Sequence, residues 1–459
     1  MIAKLLYPEI QQLIAELDLE TLRDVLADWL PVDIASLVMD LEEEEQRVAF
    51  HAIRGELAAD AFEYLDRGTQ LRLLENLPDV ESAPILNMMS PDDRTSLLEA
   101  LPEEMAEKLM RLLSREERAV AESLLEYPEN SIGRLMTPDC IAVQPDWSVE
   151  RVLEYIRHFG QDSETLDVVF VVDGQRRLID DIRIHEILLS PLDRLVREIM
   201  DNQFVSLTVD DDQESAIGVF RKYDRTVLPV VDAERTLMGV VTVDDVLDVA
   251  EEEATEDIQK FGGVEAFDEP YASTPLLSMV RKRAVWLVVL FLGELLTASA
   301  MGFFEHEIAR AVVLTLFIPL IISSGGNTGS QAATLIIRAL ALGEVTLADW
   351  WRVMRREIVA GLLLGVILGS MGFLRIVLWS AVSPIYGPHF LLIALTVGVS
   401  LVGIVLWGTI SGSMLPFLLK RLGFDPATSS APFVATLVDV TGLVIYFTVA
   451  MLLLKGTML

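Results

Sequence analysis

The sequence has few of the residues that build disulfides and soft-metal sites. Its 459 residues include one cysteine, Cys140, and five histidines, which do not lie close together along the chain. One cysteine excludes an internal disulfide and a thiolate zinc cluster. No GxxxxGK[ST] loop is present, so ATP hydrolysis is not expected to power any process. Because no Ser-His-Asp or Cys-His arrangement can be assembled either, we expect that the protein is not an enzyme.

Positive charge is also scarce. The chain holds 36 Lys and Arg against 70 Asp and Glu, a formal net charge of −34. A field of that sign repels nucleic acid and attracts cations. Residues 1–280 carry 62 acidic and 24 basic side chains, whereas residues 281–459 carry 8 and 12. An acidic soluble part, which begins without an apolar signal-peptide core and should stay in the cytoplasm, is therefore joined to an apolar part.

The apolar part contains five stretches long enough to cross a membrane, for which about 20 mostly apolar residues suffice. They are 284–304, 308–342, 358–382, 390–419 and 432–454. Basic clusters lie before the first stretch and in alternate loops, at 281–283, 352–356 and 420–421. Five spans with the N-terminus inside put all these clusters on one side. We expect a multi-pass protein of the cell inner membrane, with a cytoplasmic N-terminus and the C-terminus outside.

Residues 1–130 predict a repeat of helices. Leu-Pro recurs at 30–31, 77–78 and 101–102, and Gly55 stands where a further copy is expected, so that the steps are close to 24 residues. Proline suits the first turn of a helix. The spacing predicts an α-helical superhelix of helix pairs, with an irregular helical bundle as the alternative.

The next segment is a tandem β-α-β-β-α repeat, in which Met136 matches Met200 and 171–173 matches 230–232. It resembles a pair of CBS (α+β) domains, at 131–195 and 196–249, and such pairs bind adenosine ligands or ions. In the second copy, Thr242 and Asp245 resemble the family's phosphate- and ribose-contacting residues. That copy predicts an adenine-nucleotide site, with ATP as a candidate ligand, or a purely structural strand-helix junction.

An acidic helix, assigned to 250–270, connects this repeat to the apolar part and should end near Gly262 and Gly263. Asp245, Asp248, Glu252 and Glu256 are three or four residues apart and share one helical face, where like charges repel. Divalent cations would relieve this repulsion and their departure would restore it, which is the logic of a switch. A solvated acidic face is the alternative.

The apolar part carries few ionisable groups. Asp439 lies within the fifth span, where an ionised carboxylate should face a wet cavity or bond to another helix. Gly325, Gly326 and Gly329 permit an unwound or a closely packed backbone. Asn327 adds an amide oxygen, and few carboxylates with such oxygens suit a hydrated Mg²⁺ ion.

Two further carboxylates leave alternatives open. Glu294, in the first span, could serve an ion pathway or pair with another helix. Asp425, before the fifth span, could guard an inner mouth or cap a helix.

The order of these parts, together with GGNTGSQAATLIIRAL (325–340), PFVATLVDVTGLVIYF (432–447) and GVVTVDDVLDVAEEEATEDI (239–258), is similar to that of the MgtE family of bacterial magnesium channels and transporters. The resemblance covers essentially the whole chain. It implies a homodimer in the lipid bilayer with a central Mg²⁺ pore at 271–459. It also implies that cytosolic Mg²⁺ compacts the soluble domains and that the connecting helices then plug the pore.

The resemblance also assigns residues. It makes Asp439 the pore carboxylate and Asn327 a pore-lining residue. The positions that it assigns to regulatory Mg²⁺ are Asp93, Glu214, Asp224, Asp245, Asp248, Glu253, Glu256, Asp257 and Asp425.

The function expected from the resemblance is Mg²⁺ uptake, closed by cytosolic Mg²⁺ and serving ion homeostasis. The alternatives are transport of Co²⁺ or Zn²⁺ with the same gating logic and, without transport, a membrane-anchored nucleotide or ion sensor. Softer metals prefer His or Cys, which argues against the first alternative. A pure anchor would not need five spans with a polar, glycine-rich centre.

Overall fold

The computed structural model describes residues 2–161, 163–267, 271 and 274–457, with side chains from Leu6 onward. The chain divides into two compact units, Met1–Glu252 and Glu253–Leu459. Each unit is described by itself.

Helices alone form the first part of the amino-terminal unit. They are α1 (Ile2–Glu16), α2 (Leu19–Leu26), α3 (Pro31–Asp40), α4 (Glu43–Ala52), α5 (Glu56–Glu63), α6 (Arg67–Asn76), α7 (Asp79–Met88), α8 (Pro91–Glu99), α9 (Glu103–Met110) and α10 (Arg115–Leu125). The predicted repeat positions are helix starts, since α3, α5, α7 and α9 begin there. Because α3 packs on α5 and α5 on α7, the pairs stack one after another around a continuous apolar core, and the predicted superhelix is confirmed.

The rest of this unit holds the two CBS-like copies. The first contains α11 (Ile132–Leu135), β1 (Ala142–Val143), α12 (Val149–Phe159), β2 (Val168–Val172), β3 (Leu178–Arg183) and α13 (Ile184–Leu189). The second contains β4 (Leu207–Thr208), α14 (Gln213–Tyr223), β5 (Val227–Val231), β6 (Leu237–Thr242) and α15 (Val243–Phe261).

Both copies build the same three-stranded sheet, in the orders β1-β2-β3 and β4-β5-β6. The first pair of strands in each sheet is parallel and the second is antiparallel. An irregularity in register falls at the same place, between Val171 and Val172 and between Val230 and Val231. The central strands β2 and β5 are buried along their whole length, as their continuous apolar sequences require.

The acidic connecting helix differs from its assigned bounds. α15 begins at Val243, inside the second copy, and ends at Phe261. Gly263 follows with φ +71, a left-handed conformation that favours glycine and terminates helices. The predicted end near Gly262 and Gly263 is therefore confirmed, whereas residues 264–267 are not helical and residues 268–270 lie outside the described residues.

The second unit contains the apolar helices. They are α16 (Leu276–Phe303), α17 (Glu305–Arg310), α18 (Ile318–Ala341), α19 (Trp350–Ser380), α20 (Phe390–Arg421) and α21 (Ala431–Leu454). In the described residues, five segments that contain α16, α18, α19, α20 and α21 are long and apolar enough to cross a membrane. This matches the five spans expected from the sequence.

The glycine-rich segment of the second span is a continuous part of α18. Of the two interpretations left open, close packing is correct and unwinding is wrong. A Cβ on Gly412 would lie 2.0 Å from the Gly329 carbonyl oxygen, and one on Gly408 would lie 2.5 Å from that of Gly325. The glycines thus let the backbones of α18 and α20 touch. The α-helical structure of the second span is instead interrupted before α18, where Val312–Phe317 form a 3₁₀ segment.

Candidate ion pathway and acidic regulatory sites

Asp439 is placed by the contact between α18 and α21. Its neighbour Val438 is fully buried, and Asp439 itself is half-buried. A Cβ on Gly326 would lie 3.3 Å from Ala435 Cβ and 3.7 Å from Asp439 Oδ1. In the described part of the chain, no basic side chain pairs with Asp439. The small residues therefore bring the backbone of α18 beside an uncompensated carboxylate within an apolar helix.

Asn327 follows Gly326 on α18 and is exposed. Its amide nitrogen donates a weak hydrogen bond of 3.4 Å to Ser323 Oγ. Among the hydrogen bonds of the described residues, none joins Asn327 to Asp439. Its assignment as a pore-lining residue stays a prediction.

Glu294 lies on the face of α16 that approaches α21. A Cβ on Gly293 would be 2.8 Å from Thr436 Cγ2, one helical turn before Asp439. The carboxylate of Glu294 is close enough for its charge to act on that of Asp439. This placement favours the pathway alternative for Glu294, because two negative charges at membrane depth repel unless a cation lies near both.

An acidic cluster forms around the start of α8. Asp92 is 7% exposed, and its Oδ1 atom has no hydrogen-bond partner among the described residues. Burial, and then the nearby carboxylates of Asp245, Asp93 and Glu164, raise the pKa of Asp92 well above its usual range. Burial is also the main reason that the pKa of Asp245 rises to about 6. This cluster holds excess negative charge that a bound cation would neutralise.

Arg94, which is completely buried, holds the start of α8 in place. Its guanidinium donates to the carbonyl oxygens of Leu86, at 3.1 Å, and Met89, at 3.2 Å. It also pairs with Glu117. These bonds hold Asp92 and the adjacent turn in place against the repulsion of the cluster.

Sequence reasoning placed Asp93 in this region and missed Asp92. Asp93 is exposed and accepts a hydrogen bond of 3.0 Å from Ser90 Oγ. The charges of Asp248 and Asp244 act on it, so the structure brings Asp93 near two acids of α15. The helical spacing of apolar residues does not determine which of two adjacent aspartates in the first turn of a helix is buried.

Glu164 was also missed. It lies in the extra segment at 160–164, which the first copy has and the second lacks. Its backbone N–H donates to the Asp139 carbonyl oxygen at 2.9 Å, which fixes the position of Glu164. That insertion was the signal that could have identified the residue.

Thr242 and Asp245 form the junction between β6 and α15. The backbone N–H and the hydroxyl of Thr242 donate to Asp245 Oδ2 at 3.2 and 2.6 Å. These bonds stabilise the strand-helix junction, and the nucleotide assignment of the pair stays a prediction. The same Asp245 carboxyl takes part in the acidic cluster, so it combines both roles.

A second ionic site lies in the carboxy-terminal unit. The ammonium of Lys260 donates to Asp425 Oδ2 at 2.7 Å and also pairs with Glu256. Although burial lowers it, these two hydrogen bonds raise the pKa of Lys260 above its usual range. Asp425 Oδ1 also accepts from the Ala427 N–H at 2.8 Å and caps a short turn. Two carboxylates assigned to regulatory Mg²⁺ are here bridged by a lysine.

The remaining predicted positions do not gather at one point. Glu214 and Asp224 are exposed at the two ends of α14, Asp224 in a left-handed conformation. Glu253 and Asp257 are half-buried on α15. Within the described ranges, no group of three or more His, Cys, Asp or Glu side chains is arranged to hold a metal ion. Their role in Mg²⁺ binding stays a prediction.

Comparison with protein families gives three kinds of match. Residues 318–449 match the MgtE family, described as a divalent cation transporter. Residues 29–130 match the MgtE intracellular N domain. Residues 132–192 and 196–252 each match the CBS domain.

Individual proteins are similar over nearly the same span. The magnesium transporter MgtE of Thermus thermophilus is 40% identical over 97% of this chain and 98% of its own length. The magnesium transporter MgtE of Bacillus subtilis is 27% identical over 93% of each chain. The crystal structure of the cytosolic domain of the Mg²⁺ channel MgtE in complex with ATP is 35% identical, covers 53% of this chain and 99% of its own, and superposes with a TM-score of 0.51.

Proposed function

Because the chain belongs to the MgtE family of divalent cation transporters, we propose that it carries Mg²⁺ through a membrane pore that contains Asp439. The observation that carries this proposal is the half-buried Asp439 carboxylate, which lies beside the backbone of Gly326 and has no basic partner among the described residues. An ionised group at that depth is costly unless water or a cation reaches it. Five apolar helices and the family together make the chain a multi-pass membrane protein.

Mg²⁺ fits the chemistry of this site. Asp439 offers carboxylate oxygen atoms, and Mg²⁺ prefers oxygen ligands and keeps several waters when it binds. Glu294 adds a second negative charge within electrostatic range. Relatives named magnesium transporters support the choice of ion. Co²⁺ or Zn²⁺ transport is the alternative, but those ions favour His or Cys ligands.

Transport runs inward and needs no ATP hydrolysis. A membrane potential that is negative inside favours the entry of a divalent ion by roughly 4–5 kcal/mol per 100 mV. The orientation follows from the basic loops, with the N-terminus in the cytoplasm and the C-terminus outside the inner membrane.

Cytosolic Mg²⁺ closes the pore in this proposal. The cluster of Asp92, Asp93, Glu164 and Asp245 concentrates charge around a buried oxygen that has no protein partner in the described ranges. Mg²⁺ bound there through its own water shell would remove the repulsion and hold the soluble part compact. The positions on α14 and α15 would extend this sensor, and α15 would act as the plug.

Three finer features belong to the same proposal. The chain acts as a homodimer with one central pore. ATP binds near Thr242 and Asp245, which is supported by the ATP complex of a similar cytosolic domain. The division at residues 130, 195, 249 and 270 into N domain, two CBS domains, connecting helix and membrane domain stays a prediction.

Purified protein in liposomes tests the pore. We expect Mg²⁺ influx that Co²⁺ and Zn²⁺ do not match, and a loss of about a hundredfold or more in Asp439→Ala, because the charge that compensates the ion is removed. Glu305→Gln, which alters an exposed carboxylate outside the long helices, is the matched control and should keep its flux. Flux of Asp439→Ala at the wild-type level would overturn the pore assignment.

The same liposomes test the sensor. Mg²⁺ on the side of the soluble domains should close the wild-type channel. The double variant Asp92→Asn/Asp245→Asn should need at least about tenfold more Mg²⁺ to close, since each lost charge weakens a charge-assisted contact. Closure at an unchanged Mg²⁺ concentration would refute the regulatory role of this cluster.

A further inference from the structure

A cavity of about 400 Å³ lies in the helical repeat of the amino-terminal unit. It is lined by residues of α4, α5 and α7 and by the turn at residues 53–55. The volume is in the range of small-molecule sites, which is roughly 300–1,000 Å³. The proposed function makes no use of this cavity, and the inference below does not depend on it.

The cavity lies where the repeat departs from its Leu-Pro pattern. Gly55 precedes α5 with φ +67, whereas Pro78 and Pro102 precede α7 and α9 with φ −62 and −55. Proline cannot adopt a positive φ. A Cβ on Gly55 would meet no atom within 4 Å. Gly55 therefore gives the chain a direction that a Leu-Pro step cannot take, and it leaves the cavity open at this point.

The floor of the cavity is apolar and well packed. Phe50, Ile53, Leu77 and Ile85 line it, are at most 6% exposed and belong to the core of the helical repeat. Val80, on the rim, is 83% exposed. A ligand with an apolar body would cover Val80 and remove apolar surface from water without disturbing the floor.

One charged side chain of the described lining has no partner. The ionisable side chains of that lining are His51, Arg54 and Glu81. His51 Nδ1 lies 2.9 Å from Glu81 Oε1, so these two side chains satisfy each other. Arg54 is exposed and has no acidic partner in the described ranges. The cavity therefore presents an uncompensated positive charge beside an apolar floor.

We infer that this cavity binds a small carboxylic acid with a short apolar tail. The guanidinium of Arg54 pairs with the carboxylate, for which its fork of N–H donors is suited, and the tail lies on the floor beside Val80. A neutral molecule would leave Arg54 unpaired, and a cation would be repelled by it. One unpaired cation matches a single negative charge better than the charge of nearly −2 on a phosphate monoester.

Saturation-transfer NMR of the full-length protein in amphipol tests this site. The probes are isocaproate, isohexanol and isohexylamine, which share one branched carbon skeleton and differ in the charge of the head. We expect isocaproate to bind about fivefold more tightly than isohexanol, the modest gain that an exposed charged pair allows, and isohexylamine to bind most weakly. Acetate should not compete, because it lacks the tail.

Three variants sharpen the test. Arg54→Gln should lose the preference for isocaproate over isohexanol but still bind isohexanol, which shows that the apolar floor is intact. Arg47→Gln is the control, since Arg47 lies on the same helix but pairs with Glu44 and does not line the cavity. Val80→Asp adds a negative charge at the exposed rim and should reverse the order of isocaproate and isohexylamine.

The inference is refuted if the wild type binds none of the probes or binds all three equally. The same loss of isocaproate binding in Arg54→Gln and Arg47→Gln would also refute it. A peptide that ends in leucine carries the same branched tail and a carboxylate. Tighter binding of that peptide than of isocaproate would assign the cavity to a chain terminus and would refute a small-molecule site.

Discussion

The two units of the chain handle carboxylates in different ways. In the amino-terminal unit, Asp92 and Asp245 are crowded with other acids, and burial raises the pKa of both. In the carboxy-terminal unit, acids are few. Asp425 is neutralised by Lys260, and among the described residues the one charge that acts on Asp439 is the like charge of Glu294.

In the proposed function, this difference would give one ion two kinds of site. A crowded cluster gains much from a cation and is destabilised without it, which suits a sensor of concentration. A lone carboxylate gains less and can release the ion again, which suits a pathway. The following predictions test this difference between the acids of the two units.

The largest effect should come from pH in the absence of Mg²⁺. Burial, and then Asp93, raises the pKa of Glu63 to about 7, and Asp245 reaches about 6. The folded protein therefore holds more protons than the unfolded chain between about pH 4 and 7. Its free energy of unfolding should fall by roughly 2–4 kcal/mol as the pH rises through that window.

The thermal midpoint of the first unfolding transition of the full-length protein measures this loss. Saturating Mg²⁺ should reduce the pH dependence, because it neutralises the same charges. A midpoint that rises between pH 5 and 8 without Mg²⁺ would contradict the crowding of these acids.

A smaller effect is expected for Asp92→Asn at pH 8. The substitution removes a buried negative charge, one oxygen of which has no hydrogen-bond partner among the described residues, so the metal-free free energy of unfolding should increase by roughly 1–2 kcal/mol. The stabilisation by Mg²⁺ should shrink at the same time. Glu129→Gln, at an exposed site, is the control and should change neither quantity. A destabilised Asp92→Asn protein would show that the carboxylate has a partner.

The smallest effect is expected for Lys260→Met. Without the ammonium, Glu256 and Asp425 repel each other, and this end of α15 loses its tie to the turn before α21. We expect flux at low Mg²⁺ to rise about threefold, the modest size that part-exposed ion pairs allow. Lys420→Met is the control. It removes an exposed charge that lies close to Asp425 in the sequence, and it should leave the flux unchanged. Equal effects of both variants would mean that Lys260 acts only through net charge.

Periodic features of this chain were predictable from sequence. The Leu-Pro steps predict the starts of α3, α7 and α9, and the β-rich runs predict two matching copies of one β-α-β-β-α domain. These features depend on local propensity and on apolar residues that recur every few positions. Both can be read directly from a sequence.

The features that sequence could not settle depend on which atoms meet across elements. Glycines at 325–329 permit either a break or a close contact, and only the facing Gly408 and Gly412 decide for contact. Asp92 and Asp93 are equivalent by period, but the buried Arg94 fixes the turn that separates them. Lys260 and Asp425 are 165 residues apart, so no local pattern could pair them.

The touching glycine backbones also constrain how a pore in this unit can open. Gly325 and Gly329 on α18 have their carbonyls against α20, and Gly365 and Gly369 on α19 would place a Cβ within 3.0 Å of α20 backbone atoms. Sliding any of these three helices would drive main chains into one another. The span α16 contributes no buried residue of its own. If a pore in this unit opens, the three glycine-bearing helices are therefore expected to move together as one rigid group.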